Sequence, residues 1–392
     1  MIENLGSDTP DSKSALQVPF NRIDISGNEE RYLGEVLRSR QLAGNGVFSK
    51  RCARFFEKKF DIHKAFLTSS CTDALEMCAL LLNLGPGDEV ILPSFTFVST
   101  ANAFLLRGVT LKFVDSAPDH PNMDLDHVER LIGPRTRAIV VVHYGGVACD
   151  MLRLRNLAMR HGARIVEDAA HSIDAYYNGR PLGSIGDLAA FSFHETKNVA
   201  AGEGGLLAVN DPALAERAEI IWEKGTNRCQ FYRGEIDKYG WIDVGSSFLA
   251  SELTAAVLWA QLERLEDLQK SRLRVWSRYH NVLSPYIKNN IVKVTPLPEY
   301  ATNNAHLYAI ICSSLQARTE LLSHMRARGI LATFHYQPLH NSPFFAPRYT
   351  GEPLLNADRY GDCLLRLPVF AGMSDQELEA VVMALEEYYG GF

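Results

Sequence analysis

LAAFSFHETKNVAAGEGGLLAVN, residues 188–210, is the stretch on which the reading of the chain turns. The apolar run LAAFSF ends in a polar turn, HETKN. A glycine-rich return, AGEGG, leads into a second apolar run, LLAV. The pattern predicts strand, loop, strand, with a single lysine, Lys197, at the apex. Upstream, ARIVED is a similar apolar strand that ends in Asp168. A lysine and a carboxylate, each just past the carboxyl end of a buried strand, mark a ligand crevice in an open α/β sheet.

Such a pair suits pyridoxal phosphate. An amine can hold the cofactor's aldehyde as a Schiff base and later shuttle a proton. A carboxylate can keep the pyridine nitrogen protonated, so that the ring accepts electrons. Taken singly, Lys197 reads as a solvated loop lysine and Asp168 as a helix N-cap. The surrounding chain reverses that reading.

Working outward, AFLTSSCTDALEMCALLLNLGPGDEVIL predicts strand, polar turn, helix, glycine turn, strand. The turn TSSCTD lies where a helix begins. Free N–H groups there would take a phosphate, although a plain Ser/Thr N-cap accounts for the same residues. A loop and helix over PSFTFVSTANAFLLRG, the strand LKFVD, a helix over 124–131, the strand AIVVVHYGG and a helix over 152–161 follow. Strands and helices alternating at this spacing imply a mainly parallel sheet covered on both faces. Before it, amphipathic helices are expected from Asn28 to Arg38 and over the Phe48, Cys52, Phe55 and Phe56 stripe.

After Val209, Asp211 caps a predicted helix. A long loop rich in Arg, Lys and aromatic residues then runs to about residue 248. One long helix, roughly Ser251–Tyr279, leads into a C-terminal part. There HLYAIICS and GILATFHY are expected as strands, and ARTELLSHMRARG and DQELEAVVMALEEYYG as helices. This organises the chain as a flexible arm (1–16), a large cofactor-binding domain (17–265) and a small α/β domain (266–392).

The 392 residues exceed what one small core needs. A net charge of −6 leaves no basic footprint for nucleic acid. Seven scattered cysteines, none in a CxxC spacing, argue for a reducing, cytoplasmic setting and against a zinc site or disulfide framework. Apolar runs are strand-sized, too short for a membrane span. The acidic N-terminal stretch lacks the character of a signal peptide.

The motifs SCTDALEM, GDEVILPSFTFVSTANA, VVHYGGVACDM, VEDAAHS, GSIGDLAAFSFHETKN, GEGG, EKGTNR and FHYQPLH occur in that order. Together they resemble the DegT-like sugar-nucleotide aminotransferases over nearly the whole chain, from about Pro19. The resemblance implies fold type I, the aspartate-aminotransferase-like α/β fold, with a large sheet domain and a smaller C-terminal one. It also implies pyridoxal 5'-phosphate and a homodimer with shared active sites, but no metal.

Carried over by position, Lys197 would hold the cofactor and Asp168 would pair with its pyridinium nitrogen. Phe97 would stack on the ring, a position where a core phenylalanine is the competing reading. Ser70, Cys71, Thr72 and Ser192 would surround the phosphate. His171 stands where the family usually has Gln beside the phenolic oxygen, and its ring can donate to the same atom. Leu249 stands where many relatives present Asn from the partner subunit, a role open to Ser246 or Ser247.

Along FSFHETKN, EKGTNR and the DKY–W–D–GSS run, the likeness is to members that aminate C4 of dTDP-4-dehydro-6-deoxy-D-glucose from L-glutamate. The galactose configuration is favoured. Arg228, Arg233 and Lys238 are candidates for the diphosphate, balanced against a solvated loop face. His335, Tyr336 and His340 in FHYQPLH are candidates for the sugar or cofactor rim, set against a structural reading of all three. A transaminase for another keto sugar, or one that gives the equatorial amine at C4, is the nearest rival. Family dehydratases replace the lysine by histidine, and a regulator on the same fold would lack a complete site.

Overall fold

Short runs of Val, Ile, Leu and Phe, apolar on both sides, build the centre of the molecule. Such segments are stable only as strands covered on two faces. In this computed structural model, which describes residues 17–390, helices α1 (Glu29–Ser39) and α2 (Val47–Lys59) precede β1 (Lys64–Thr68). The arm expected over 1–16 lies outside the described residues. Then come α3 (Cys71–Leu81), β2 (Glu89–Pro93), α4 (Val98–Leu105), β3 (Thr110–Val114) and α5 (Leu125–Leu131). They are followed by β4 (Thr136–Val142), α6 (Met151–His161), β5 (Arg164–Asp168) and a small hairpin, β6 (Tyr176–Tyr177) with β7 (Arg180–Pro181). The opening stretch supplies β8 (Leu188–Ser192) and β9 (Gly205–Val209).

Seven of these strands form one sheet in the order β1-β9-β8-β5-β4-β2-β3. Every neighbouring pair is parallel except those of β9, which runs against both β8 and β1. Alternate residues serve opposite faces, as the pleat requires. Ala138 and Val140 of β4 join a core with α3 and α4, while Ile139 and Val141 join α5 and α6. Ala189 and Phe191 of β8 face α2 and the later helix α9. The sheet is thus buried from both sides, and the ligand edge is left at its strand termini.

The rest of the chain adds α7 (Ala215–Trp222), α8 (Arg228–Tyr232), α9 (Glu252–Glu263) and α10 (Leu265–Lys288). After these come β10 (Tyr308–Ile311), α11 (Leu315–Ala327), β11 (Thr333–Phe334), α12 (Leu355–Cys363), β12 (Leu364–Leu367) and α13 (Asp375–Tyr389). The single helix expected over 251–279 is two. Arg264, at φ −110° and ψ 15°, leaves helical geometry, and the second piece continues to Lys288. The expected strand GILATFHY is cut to Thr333–Phe334, because His335 and Tyr336 leave the ladder to face a cavity.

A second, antiparallel sheet, β10-β12-β11, packs with α10, α11 and α13 into its own core. Val18 belongs to that core. Its amide donates to Gly329 O, and its carbonyl accepts from Leu331. From there the chain crosses to the large sheet, where the Asn21 amide donates to Glu195 O at 2.7 Å, in the loop that carries Lys197.

Candidate active site

Where β5 and β8 end side by side, a cavity of about 710 Å³ opens between the two sheets. The register of β8 and β9 pairs Ser192 with Gly205, so residues 193–204 form the loop above it. Backbone bonds from Lys197 to His194 O, Glu195 to Gly202 O and Ala201 to Phe193 O fold that loop back on itself. Asn198 anchors it from below. Its side-chain amide donates to Gln269 and to Asn304 O, both at 2.8 Å, and its oxygen meets His306 Nδ1 at 2.7 Å. Lys197 is therefore held on a rigid mount, and its side chain lines the cavity. What surface it exposes is cavity wall, and burial lowers its proton affinity, which favours the free-base amine.

Asp168 closes β5 and lines the same cavity. Burial raises its proton affinity, opposed by the Thr100 hydroxyl, which donates to Oδ2 at 2.7 Å, and by the Ala170 amide on Oδ1 at 3.2 Å. Its neighbour Glu167 points to the other face. There the amides of Gly183, Ile185 and Gly186 and the His143 ring bond to it. Cys149 N–H donates to His143 Nδ1, so His143 Nε2 carries the hydrogen that Glu167 accepts.

His171 receives the Gly145 amide at Nδ1, 3.2 Å away. Burial holds the ring neutral, so its one N–H is on Nε2, the donor expected of this position. The ring stacks on His306 at 4.1 Å between centroids. Phe97 stands at the N-terminus of α4 with 56% of its surface exposed, lining the cavity. A core phenylalanine would be covered; this ring is open to the cavity.

At the other end of the cavity α3 begins. Ser70 caps it by accepting the Asp73 amide at 3.1 Å, and the helical ladder starts with Ala74 bonding to Ser70 O. The N–H groups of Cys71 and Thr72 have no hydrogen-bond partner among the described residues, which leaves both free at the positive end of the helix. One turn therefore both caps the helix and leaves two N–H groups that an anion could take. Gly205 is required beside it, since a Cβ there would lie 2.3 Å from the Ser70 carbonyl. Ser192 lines the same wall.

Ten of the expected residues thus meet around one cavity: Lys197, Asp168, His171, Ser192, Ser70, Cys71, Thr72, Phe97, His335 and Tyr336. Three do not. Arg228 is engaged by Glu223, and Arg233 by Glu219 and Glu235, while Lys238 is exposed; none of the three lines the cavity. Glu223, which caps the end of α7, and Glu219 on α7 hold the first two cations outside it. His340 is buried against Ser94 instead. Thr100, Asn198 and Arg366 were missed. The one available signal was a charge inside the apolar run LLRLPVF, which places Arg366 in the wall.

A family model described as the DegT/DnrJ/EryC1/StrS aminotransferase family matches residues 24–386. The chain belongs to that family. The spore coat polysaccharide biosynthesis protein SpsC of Bacillus subtilis (strain 168) is 34% identical over 389 residues, covering 95% of this chain and 97% of SpsC. GDP-perosamine synthase of Caulobacter vibrioides is 31% identical over 377 residues, covering 95% and 98%. Among solved structures, S. venezuelae DesV in complex with a ketimine intermediate superposes with a TM-score of 0.86 at 32% identity, covering 95% of this chain and 98% of DesV. The protein is a pyridoxal-phosphate-dependent sugar aminotransferase of fold type I.

The residues present fit the cofactor. A free helix N-terminus suits its phosphate, an exposed ring its pyridine face, a buried carboxylate its nitrogen and a neutral histidine donor its phenolic oxygen. Among the described residues no cluster of three or more metal-ligating side chains occurs, and no helix is long and apolar enough to cross a membrane.

Proposed function

We propose that this aminotransferase moves an amino group from L-glutamate to C4 of dTDP-4-dehydro-6-deoxy-D-glucose. The products are 2-oxoglutarate and a dTDP-4-amino-4,6-dideoxy sugar of galactose configuration, which would make it a dTDP-4-amino-4,6-dideoxygalactose transaminase. The observation that carries the chemistry is the convergence of Lys197, Asp168, His171 and Phe97 on one cavity. The sugar rests on FSFHETKN, EKGTNR and the DKY–W–D–GSS run. GDP-perosamine synthase among the relatives supports a nucleotide-linked substrate and keeps a GDP-linked keto sugar as the second reading. The name of SpsC supports a role in making a surface polysaccharide. The reaction belongs in the cytoplasm, as the scattered free cysteines suggest.

Bound here, pyridoxal phosphate supplies an electron sink for negative charge at the substrate's amine-bearing carbon. Ser70, Cys71, Thr72 and Ser192 would hold the phosphate, and Phe97 would lie against the ring. Asp168 would pair with the ring nitrogen, with the Thr100 hydroxyl favouring its ionised state. His171 would donate to the phenolic oxygen. Lys197 Nζ takes the proton from the α-carbon of glutamate and later delivers one to C4 of the sugar. The walls formed by His335 and Tyr336 keep bulk water from that transfer.

The loop after α7 exposes Trp241, Tyr232 and Ile242 to solvent, an apolar surface of the kind that marks a protein contact. We place a second copy of the chain on it, as a homodimer. Ser246 and Ser247, both exposed, and Arg228, Arg233 and Lys238 would then serve the partner's cavity.

The test incubates purified protein with glutamate and a panel of dTDP-, UDP- and GDP-linked keto sugars, and reads the configuration at the aminated carbon by NMR. An axial amine at C4 of the dTDP sugar is expected. Amination of only a UDP or GDP sugar would overturn the substrate assignment. Lys197→Ala should abolish transamination while leaving the fold intact, and retained turnover would remove the mechanism.

A further inference from the structure

The side chain of His171, placed above as donor to the phenolic oxygen, receives one hydrogen bond among the described residues, from the Gly145 amide to Nδ1. That bond selects the tautomer, yet a ring held at one atom can still tilt. A flat neighbour stops the tilt. His306 lies 4.1 Å away between centroids, with 24° between the planes, and both rings line the cavity. The next rings, Tyr144 and His335, stand at 6.0 Å.

His306 is anchored at its ring, its amide and its carbonyl. The Asn198 amide group donates to Gln269 and to Asn304 O, which leaves its Oδ1 to accept the His306 Nδ1–H at 2.7 Å. Asn304 Oδ1 accepts the His306 amide at 3.1 Å, while its own side-chain amide donates to His171 O and Ile173 O. Arg272 donates through Nε to Ala305 O at 3.1 Å and through Nη2 to His306 O at 2.7 Å.

Two features of this anchor are unfavourable on their own. Arg272 is buried, and no ion pair holds it among the described residues, so its charge is taken from water without a counter-ion. Ala305 sits at φ 49°, a left-handed backbone that alanine rarely adopts. Strain of this kind persists only where the surroundings over-determine it, and it collects at functional sites. Burial keeps both imidazoles neutral, so they lie face to face without repulsion. A residue that only filled the cavity wall would need none of this.

We infer that His306 is a positioning residue for the cofactor. Its face holds the His171 ring in the plane from which Nε2–H serves the phenolic oxygen, and Asn198 ties that plane to the backbone beside Lys197. The amine and the donor then share one support. This rests on the place given to His171 in the function proposed above.

Two variants separate a flat face from bulk alone. His306→Leu fills the space without a flat face, and His306→Phe keeps the face. Both lose the bond to Asn198, so both should lower the melting temperature by a similar amount. Histidine-selective nitrogen NMR of the cofactor-free protein reads the His171 ring, whose signal is identified by its loss in His171→Gln. Absorbance titration reads cofactor affinity and the position of the bound cofactor's visible band.

In wild type, His171 should show one neutral form protonated at Nε2. In His306→Leu that signal should broaden and the visible band should shift. Cofactor affinity should fall on the order of 10-fold, as for a weakened hydrogen bond to a charged oxygen. His306→Phe should recover the sharp signal, the band and most of the affinity while remaining as unstable as His306→Leu.

A wild-type His171 protonated at Nδ1, or a His306→Leu protein with the wild-type signal and affinity, would overturn the inference. So would a His306→Phe protein as impaired as His306→Leu, since the flat face would then not be the cause. If His306→Leu misfolds, the wild-type spectrum and His306→Phe decide, and a folded His306→Phe protein with a broadened His171 signal counts against it. The NMR measurement uses neither cofactor nor substrate. Wild type that binds cofactor but aminates no keto sugar would instead sink the proposed function.

Discussion

Asp168 is buried, and burial alone drives a carboxyl toward its neutral form. Its use against a pyridinium requires the opposite state, and Thr100 works toward that by donating to Oδ2. Thr100→Val keeps the shape and removes the bond. Loss of a hydrogen bond to a charged group should weaken cofactor affinity about 10-fold or more, read by absorbance titration of cofactor-free protein. Burial already raises the proton affinity of Asp168, and the lost bond raises it further. The acid limb of cofactor binding should therefore move toward neutral pH in the variant, and an unmoved limb would count against Thr100 as a positioning residue. Thr100 could not be picked out beforehand, since hydroxyl residues in PSFTFVST all suit a helix start. Asp168 and Lys197 could, because Asp168 closes one apolar strand and Lys197 is the single lysine in the loop that joins two others. Arg366 shows its place in the cavity wall only when β12 folds against residues some 170 positions earlier in the chain.

At the scale of elements, the end of β5 is held from beneath by Glu167. Three amides from the turn before β8 and the His143 ring converge on it, so it ties the turn of 183–186 to the strand that presents Asp168. Burial pushes Glu167 up, but His143 and the amides outweigh it and hold the folded carboxyl below its ordinary range. That stabilisation is complete above the ordinary range and is lost as pH falls through the depressed folded value. Glu167→Gln should cost about 2 kcal/mol at neutral pH by denaturant titration, because buried donors lose acceptors. The difference from wild type should shrink in acid. The alternation of strands and helices, and with it the sheet, was legible because each run is apolar and bounded by glycine or polar turns. The break at Arg264 was not: 251–288 keeps a helical pattern throughout, and nothing local marks where the path must bend. The short β11 was misjudged for a similar reason, since GILATFHY has strand composition to its end.

At the scale of the whole molecule, the loop after α7 carries the most exposed large apolar side chain among the described residues, Trp241 at 84%. Its indole N–H donates to Asp243 O, and Asp243 is paired with Arg217, so the loop is shaped without being covered. Trp241→Asp should leave the melting behaviour of the core nearly unchanged and convert the proposed dimer to monomer in sedimentation velocity, with transamination falling in step. A variant that sediments as wild type would remove this face as the contact. The loop's resistance to interpretation was physical: without periodicity, its residues take their meaning from what lies against them.

Because the cavity wall draws residues from Phe20 to Val369, the pocket has no finished form while the chain is still being made. Lys197 and its carboxylate emerge from the ribosome long before β12 does, and they must await the strand that carries Arg366. A complete pocket for the vitamin-derived group would therefore exist only after synthesis of nearly the whole polypeptide, and a prematurely ended chain would present the Lys197 amine with half a roof.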